Sequence, residues 1–194
     1  MTRLWWGLVF LGLSGCATLN SPLTNNPADT VTGSGAISSF NLNARIAIHN
    51  GANADSAGLA WQGDFNQQHV ELLSPLGSVV AVLDHGPAGV SLVLADGRLL
   101  QAADSVALTT DALGYALPLE GLPWWLLGQA QPGLETAAVH DSSGVLLQQQ
   151  QAGWLICYDH WRRVGDVLLP GQVKLTRGAL EMRWVIDEWH LTKQ

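Results

Sequence analysis

From residue 40 the chain alternates with a period of two. Phe40, Leu42, Ala44, Ile46 and Ile48 are separated by Asn41, Asn43, Arg45, Ala47 and His49, the pattern of a half-buried strand. Asn50-Gly51 begins a turn. Ala57, Leu59 and Trp61 share one face of a second strand that Gly63-Asp64 ends. Val70 and Leu72 alternate with His69 and Glu71 in a third, and Ser74-Pro75-Leu76-Gly77 turns the chain into the apolar run Val79 to Leu83. After His85-Gly86-Pro87-Ala88-Gly89, Val90, Leu92 and Leu94 share a face, and Asp96-Gly97 is a hairpin turn into residues 98–102.

The period then changes. Asp104 is placed to cap a helix over 105–113, with Gly114 at its end. A second short helix runs to about Leu127, with Pro123 in its first turn. Its Trp124, Trp125, Leu126 and Leu127 make it apolar on nearly every side, the mark of a buried helix. Strands resume over 136–140 and 145–151. Trp154, Ile156 and Tyr158 then alternate, as do Val173 and Leu175, and finally Leu180, Met182, Trp184 and Ile186. The pattern predicts about ten or eleven strands and two helices with no βαβ rhythm, hence one antiparallel sheet that curls or closes.

Composition narrows the function. Hydrophobic residues make up 47% of the 194-residue chain and charged residues only 13%. A disordered chain has the reverse balance, and no apolar run approaches the ~20 residues of a helical span. The net charge of −7 argues against nucleic acid and against holding anionic lipid by charge alone.

The N-terminus adds an address. Arg3 precedes the apolar stretch Leu4 to Leu13, which is too short to span a membrane and has the form of a secretory signal. Leu13-Ser14-Gly15-Cys16 resembles the bacterial lipoprotein box. On that resemblance residues 1–15 are the signal peptide and Cys16 is the lipid-bearing first residue. Ala17, in place of Asp, implies the outer membrane. Residues 16–36, rich in Ser, Asn, Pro and Gly, form the lipidated Cys and a flexible linker whose 20 residues beyond Cys16 reach roughly 25 Å. Residues 37–194 are then the single domain.

The residues offer no catalytic constellation. His49, His69, His85, His140, His160 and His190 have no metal-site spacing, and there is no Cys-x-x-Cys. They read as solvated or edge histidines. Cys157, flanked by Ile156 and Tyr158, reads as a packed or surface residue rather than a nucleophile. No Gly-x-Ser-x-Gly elbow or phosphate-binding loop is present. No cofactor, metal or enzymatic activity is expected. The conspicuous residues are Trp61, Trp124, Trp125, Trp154, Trp161, Trp184 and Trp189. They either fill a core or line an apolar pocket, two readings the pattern leaves open. Leu76, on a turn tip between Pro75 and Gly77, is an ordinary exposed apolar residue or, beside a membrane, one that inserts.

The chain resembles the LolB family of outer-membrane lipoprotein receptors. The lipoprotein box, the first strand with Arg45, Trp61 and the run Leu72 to Gly77 carry the likeness. So do the Asp96-Gly97 hairpin, Leu113 to Leu119, Trp125 to Gly128, Gly153-Trp154, Leu169-Pro170 and Trp189. Ala44 and Ser74 stand where many members have Gly and Asn. The resemblance implies a mainly β fold: a single curved antiparallel sheet of about eleven strands forming an incomplete (half) barrel, with short helices over an apolar cavity. It implies a monomeric protein on the periplasmic face of the outer membrane, anchored through Cys16. That protein takes acylated lipoproteins from the periplasmic carrier LolA and inserts them into outer-membrane lipid without nucleotide hydrolysis. It carries the insertion role to Leu76 with Pro75 and Gly77. Strand phase and the second helix within that fold assign the cavity face to Leu42, Ile46, Trp61, Leu72, Leu92, Leu94, Trp125, Leu126, Met182 and Trp184. Two other classes stay open: a lipoprotein subunit of an envelope assembly, and a carrier of another amphiphile.

Overall fold

The computed structural model describes residues 37–193. The expected signal segment 1–15, Cys16 and the linker up to residue 36 lie outside them. Eleven strands form one sheet in which every pairing is antiparallel. In chain order they are β1 (Ile37–Asn50), β2 (Asn53–Gly63), β3 (Gln68–Leu73), β4 (Val79–Gly86), β5 (Gly89–Leu94), β6 (Leu99–Ala102), then β7 (Thr136–His140), β8 (Leu146–Gln151), β9 (Trp154–Asp159), β12 (Gln172–Arg177) and β13 (Leu180–Lys193). The order across the sheet is β6-β5-β4-β3-β2-β1-β13-β12-β9-β8-β7. The two long strands β1 and β13 lie side by side at its centre, and β6 and β7 are its open edges.

The alternation read from the sequence sets the inner face. Leu42, Ala44, Ile46 and Ile48 are buried, with exposed or half-buried residues between them. On β13 the inward set is Leu180, Met182, Trp184 and Ile186, and then it shifts to Trp189. A register shift opposite Asn43 and Ala44 causes this. One extra residue on β13 re-phases the strand, so Leu42 faces Trp189 while Ala44 faces Ile186. On the outer face Arg45 donates two hydrogen bonds to Asp187, at 2.8 and 3.1 Å, and holds that bulge.

Two helices cover the inner face. α1 (Ser105–Leu113) has the expected caps: Asp104 accepts from the Val106 N–H, and Gly114 is left-handed at φ 81°. α2 is shorter than expected, Leu122–Leu126, with Pro123 in its first turn. Residues 162–169 form a small separate hairpin of β10 (Arg162–Val164) and β11 (Val167–Leu169), which the hydropathy pattern does not announce.

The two helices treat the two halves of the sheet differently. α2 closes the β8–β9–β12 half. Trp125 packs on Trp154 with ring centroids 6.2 Å apart, and its indole N–H donates to Gln151 Oε1 at 2.7 Å. The buried amide of Gln151 also accepts from the Gln131 N–H and donates to the Gln131 carbonyl. Gln149 donates to Tyr158 Oη and to the Gln129 carbonyl. In the Gln148 to Gln151 run, the two inward glutamines thus tie the segment after α2 to the sheet. α1 instead bridges the β1–β5 half without filling it.

Candidate functional site

Under α1 lies a cavity of about 410 Å³. Its wall is the inner face of five neighbouring strands and part of β13. Inward positions recur there at every second residue: Ala57, Leu59 and Trp61 on β2, Val70 and Leu72 on β3, Ala81 and Leu83 on β4, Leu92 and Leu94 on β5. Ile46, Ile48 and Trp184 complete the wall, and Thr109, Ala112, Leu113, Tyr115, Leu117, Leu119 and Leu122 form the roof.

Polar contacts fasten the roof at one end. Ser105, at the start of α1, donates to Glu120 Oε1 at 2.6 Å, and His85 Nε2 lies 3.6 Å from the same oxygen. Chiefly through His85, and also through Ser105, the Glu120 carboxyl is pulled down to about 2. Thr109 accepts from the Leu117 N–H and donates to the Ser105 carbonyl. These bonds tie the helix to the return segment behind it.

The registers place the mouth. β1 runs toward its turn at Gly51, and β3 and β5 run the same way, so turns 51–52, 74–78 and 95–98 share one pole of the sheet. The exposed members of the lining are Asp55 and Ser56, near the start of β2, and Leu113, at the end of α1. The cavity therefore opens toward the pole of those turns. Tyr115 stands beside Asp55 there, and partial burial with that carboxylate nearby raises its phenol above the ordinary range.

Leu76 protrudes at the same pole, 95% exposed. Its loop is not slack. The Ser74 N–H donates to the Ser78 carbonyl at 2.8 Å, the Gly77 N–H donates to the Ser74 carbonyl at 2.9 Å, and the Ser78 N–H donates to Ser74 Oγ. Gly77 takes φ 82°, a left-handed turn that favours glycine. An apolar side chain is thus held out into solvent on a pinned hairpin.

Of the ten residues that strand phase and the second helix assign to the cavity, the structure places Ile46, Trp61, Leu72, Leu92, Leu94 and Trp184 on its wall. Leu42, Trp125, Leu126 and Met182 are not on it. All four are buried, but Leu42 is sealed between Trp61 and Trp189 in the ladder, and α2 carries Trp125 and Leu126 onto the other half. Met182 lies between Leu175 and Ile48. Inward phase holds for the strand residues, yet it does not say which helix lies above them. Leu59, Val70 and Leu83 carry the same phase signal and also line the wall, beyond the ten assigned. The Leu113–Leu119 roof has no periodic signal at all.

Two indole N–H groups on the wall, those of Trp61 and Trp184, are buried without a protein partner, and their rings lie 5.9 Å apart. His85 departs from the expectation of a solvated histidine. It faces inward beside Gln68, its ladder partner, and neither its Nδ1 nor the Gln68 amide has a protein partner. Both border a wider groove of about 860 Å³ at the pole opposite the mouth, lined largely by polar residues and glycines. Cys157 is buried between Gln148 and Lys174 in the ladder. Among the described residues no group of three or more His, Cys, Asp or Glu could hold a metal, and no helix is long and apolar enough to cross a membrane.

A family model described as "Outer membrane lipoprotein LolB" matches residues 38–189. The chain is 33% identical over 189 residues to the outer-membrane lipoprotein LolB of Alkalilimnicola ehrlichii, covering 95% of this chain and 94% of that one. It is 34% identical over 177 residues to the protein of the same name from Thiobacillus denitrificans, with 91% of each chain covered. Among solved structures, a LolA superfamily protein from Nitrosomonas europaea superposes with a TM-score of 0.51 at 7% identity, over 82% of this chain and 88% of that one. A DUF1329 family protein from Desulfovibrio piger gives 0.55 at 8% identity, over 80% and 86%. At such identities the structural likeness is one of fold.

Proposed function

Because the chain belongs to the LolB family of outer-membrane lipoproteins, we propose that the cavity under α1 shelters the acyl chains of lipoprotein cargo and that Leu76 delivers them to the bilayer. The protein is a receptor, not an enzyme: it accepts lipoproteins from LolA and inserts them into the outer membrane. The finer assignments are our reading. Cys16 carries the anchoring lipid, Pro75 and Gly77 shape the insertion turn, and the protein works as a monomer.

One observation carries this reading: an apolar cavity opens at the pole where Leu76 projects. A chain of ~16 carbons, at about 0.8 kcal/mol per methylene, costs on the order of 12 kcal/mol to expose to water. A cavity that released cargo away from the membrane would expose it. Here the mouth and the insertion residue face the same way. Transfer then needs no nucleotide, only higher affinity at each successive station.

The test is transfer of a labelled lipoprotein from LolA to liposomes by the full chain and by Leu76→Glu. The variant should take up cargo normally and fail to insert it. Normal insertion by Leu76→Glu would sink the role of the loop. Failure of the full chain to bind a fluorescent acyl probe would sink the role of the cavity.

A further inference from the structure

The outer face of the sheet beside the Leu76 turn carries an apolar strip that neither the cavity nor the turn uses. Val80 and Val82 alternate with the inward Ala81 and Leu83, and Val82, Val93 and Leu99 are successive ladder partners. A bulge sets both Val79 and Val80 against Leu73, so β4 begins with two consecutive exposed valines. Val79, Val80, Val93 and Leu99, with Leu76, are five of the nine large exposed hydrophobics among the described residues, and Leu99 is 55% exposed. Single exposed apolar residues are ordinary, but a contiguous group marks a contact surface.

The strip has borders. One ladder row farther from the tip, the outer face turns polar, with His69, Asp84, Ser91 and Gln101 side by side. His69 and Asp84 close on each other there at 2.6 Å. At the tip the two charges are paired, Arg98 Nε with Asp96 Oδ2 at 2.6 Å. On its β3 flank the strip ends at Glu71, the ladder partner of Val82, whose carboxylate lies 3.8 Å from His69 Nε2, so charge bounds the apolar surface there.

We infer that this shoulder enters the headgroup–acyl boundary of the outer membrane during delivery, so that Val80, Val93 and Leu99 enter lipid together with Leu76. The inference rests on the reading of Leu76 given above. Dimensions agree: Leu99 is two residues from Gly97, about 7 Å along the strand, and interfacial segments bury about 5–10 Å. β6 is an edge strand with unpaired backbone groups, which headgroups and water satisfy and hydrocarbon does not. That limits immersion to a shallow tilt. A protein partner fits less well. A stable interface covers about 800 Å² per side and is anchored by aromatic residues or Arg, whereas this strip is a few short aliphatics. The tether also favours lipid. Only 20 residues separate Cys16 from Ile37, so a lipidated Cys16 keeps the domain beside a bilayer at all times.

The experiment places a photoreactive benzoylphenylalanine at 76, 93, 99 or 147 in the full lipidated chain, in phosphatidylethanolamine vesicles with LolA present. Leu147 is an exposed residue on β8, far from the tip. Lipid adducts are expected at 76, 93 and 99 and none at 147. Adducts at 76 alone would overturn the shoulder and spare the turn. No lipid adduct at 76 would remove the reading underneath. Adducts joining 93 or 99 to LolA would overturn the proposal by giving the strip to the carrier. In parallel, Val93→Lys with Leu99→Lys should slow cargo insertion by about tenfold or more, with uptake unchanged. Val93→Gln with Leu99→Gln serves if the charged pair does not fold, and an insertion rate equal to the parent's in a folded variant overturns the proposal.

Discussion

The indole N–H groups of Trp61 and Trp184 are buried, and nothing in the protein accepts from them. An unpaired buried donor costs about 1–3 kcal/mol. Trp184→Phe keeps an aromatic ring and deletes the donor. It should leave stability equal or higher in urea titration. A marked loss of stability in the variant would mean that the donor is paired in the folded protein. Glu120 makes a second test. Its folded value, about 2, lies below the ordinary 4.5, so its contribution is complete above about pH 4.5 and disappears as pH falls toward 2. Hydrogen exchange of α1 should therefore speed up over that window in the parent, and Glu120→Gln should lack this acid-dependent step.

At the scale of elements, α2 is a plug and α1 a roof. Trp125 reaches its partners only because Gly121 leaves room. A Cβ at Gly121 would stand 2.7 Å from the Trp125 ring. Gly121→Ala should displace that ring, break its bond to Gln151 and cost about 1–3 kcal/mol in thermal unfolding. The acyl probe should still bind, because only Leu122 of α2 reaches the cavity and the rest of its lining lies on other elements. Much of this architecture is legible in the sequence. The alternation from Phe40 to Ile48 and the Asp104 and Gly114 caps survive intact, because strand period and capping are local properties. The β10–β11 hairpin escapes because each arm has three residues, too few to show a period. The cavity is half legible for a different reason. Phase says that Trp61 and Met182 both point inward, but only the packing of α1 and α2 decides which of them meets empty space. The re-phasing of β13 at the bulge is likewise set by its partner β1, whose unbroken alternation it must follow.

The molecule as a whole has a direction. Mouth, Leu76 and valine shoulder lie at one pole; the roof's polar fastening lies at the other. Ile37, where the described chain begins, is also at that far pole, because β1 runs from it toward the turn at Gly51. The strand has 14 residues, about 46 Å end to end. A flexible chain as long as the segment between Cys16 and Ile37 would have a relaxed reach of roughly 25 Å and a taut limit of about 70 Å. If it is the proposed tether, it joins the pole opposite the mouth. Relaxed, it would leave the mouth facing the periplasm, where the carrier arrives; drawn out along the flank, it would let the mouth reach the bilayer. Deleting ten of residues 17–36 would shorten the taut limit to about 35 Å. Such a chain should still accept cargo from LolA yet stall before insertion, and restoring length with an unrelated Gly-Ser stretch should restore delivery. Leash length, rather than any side chain, would then set whether one domain can serve two stations.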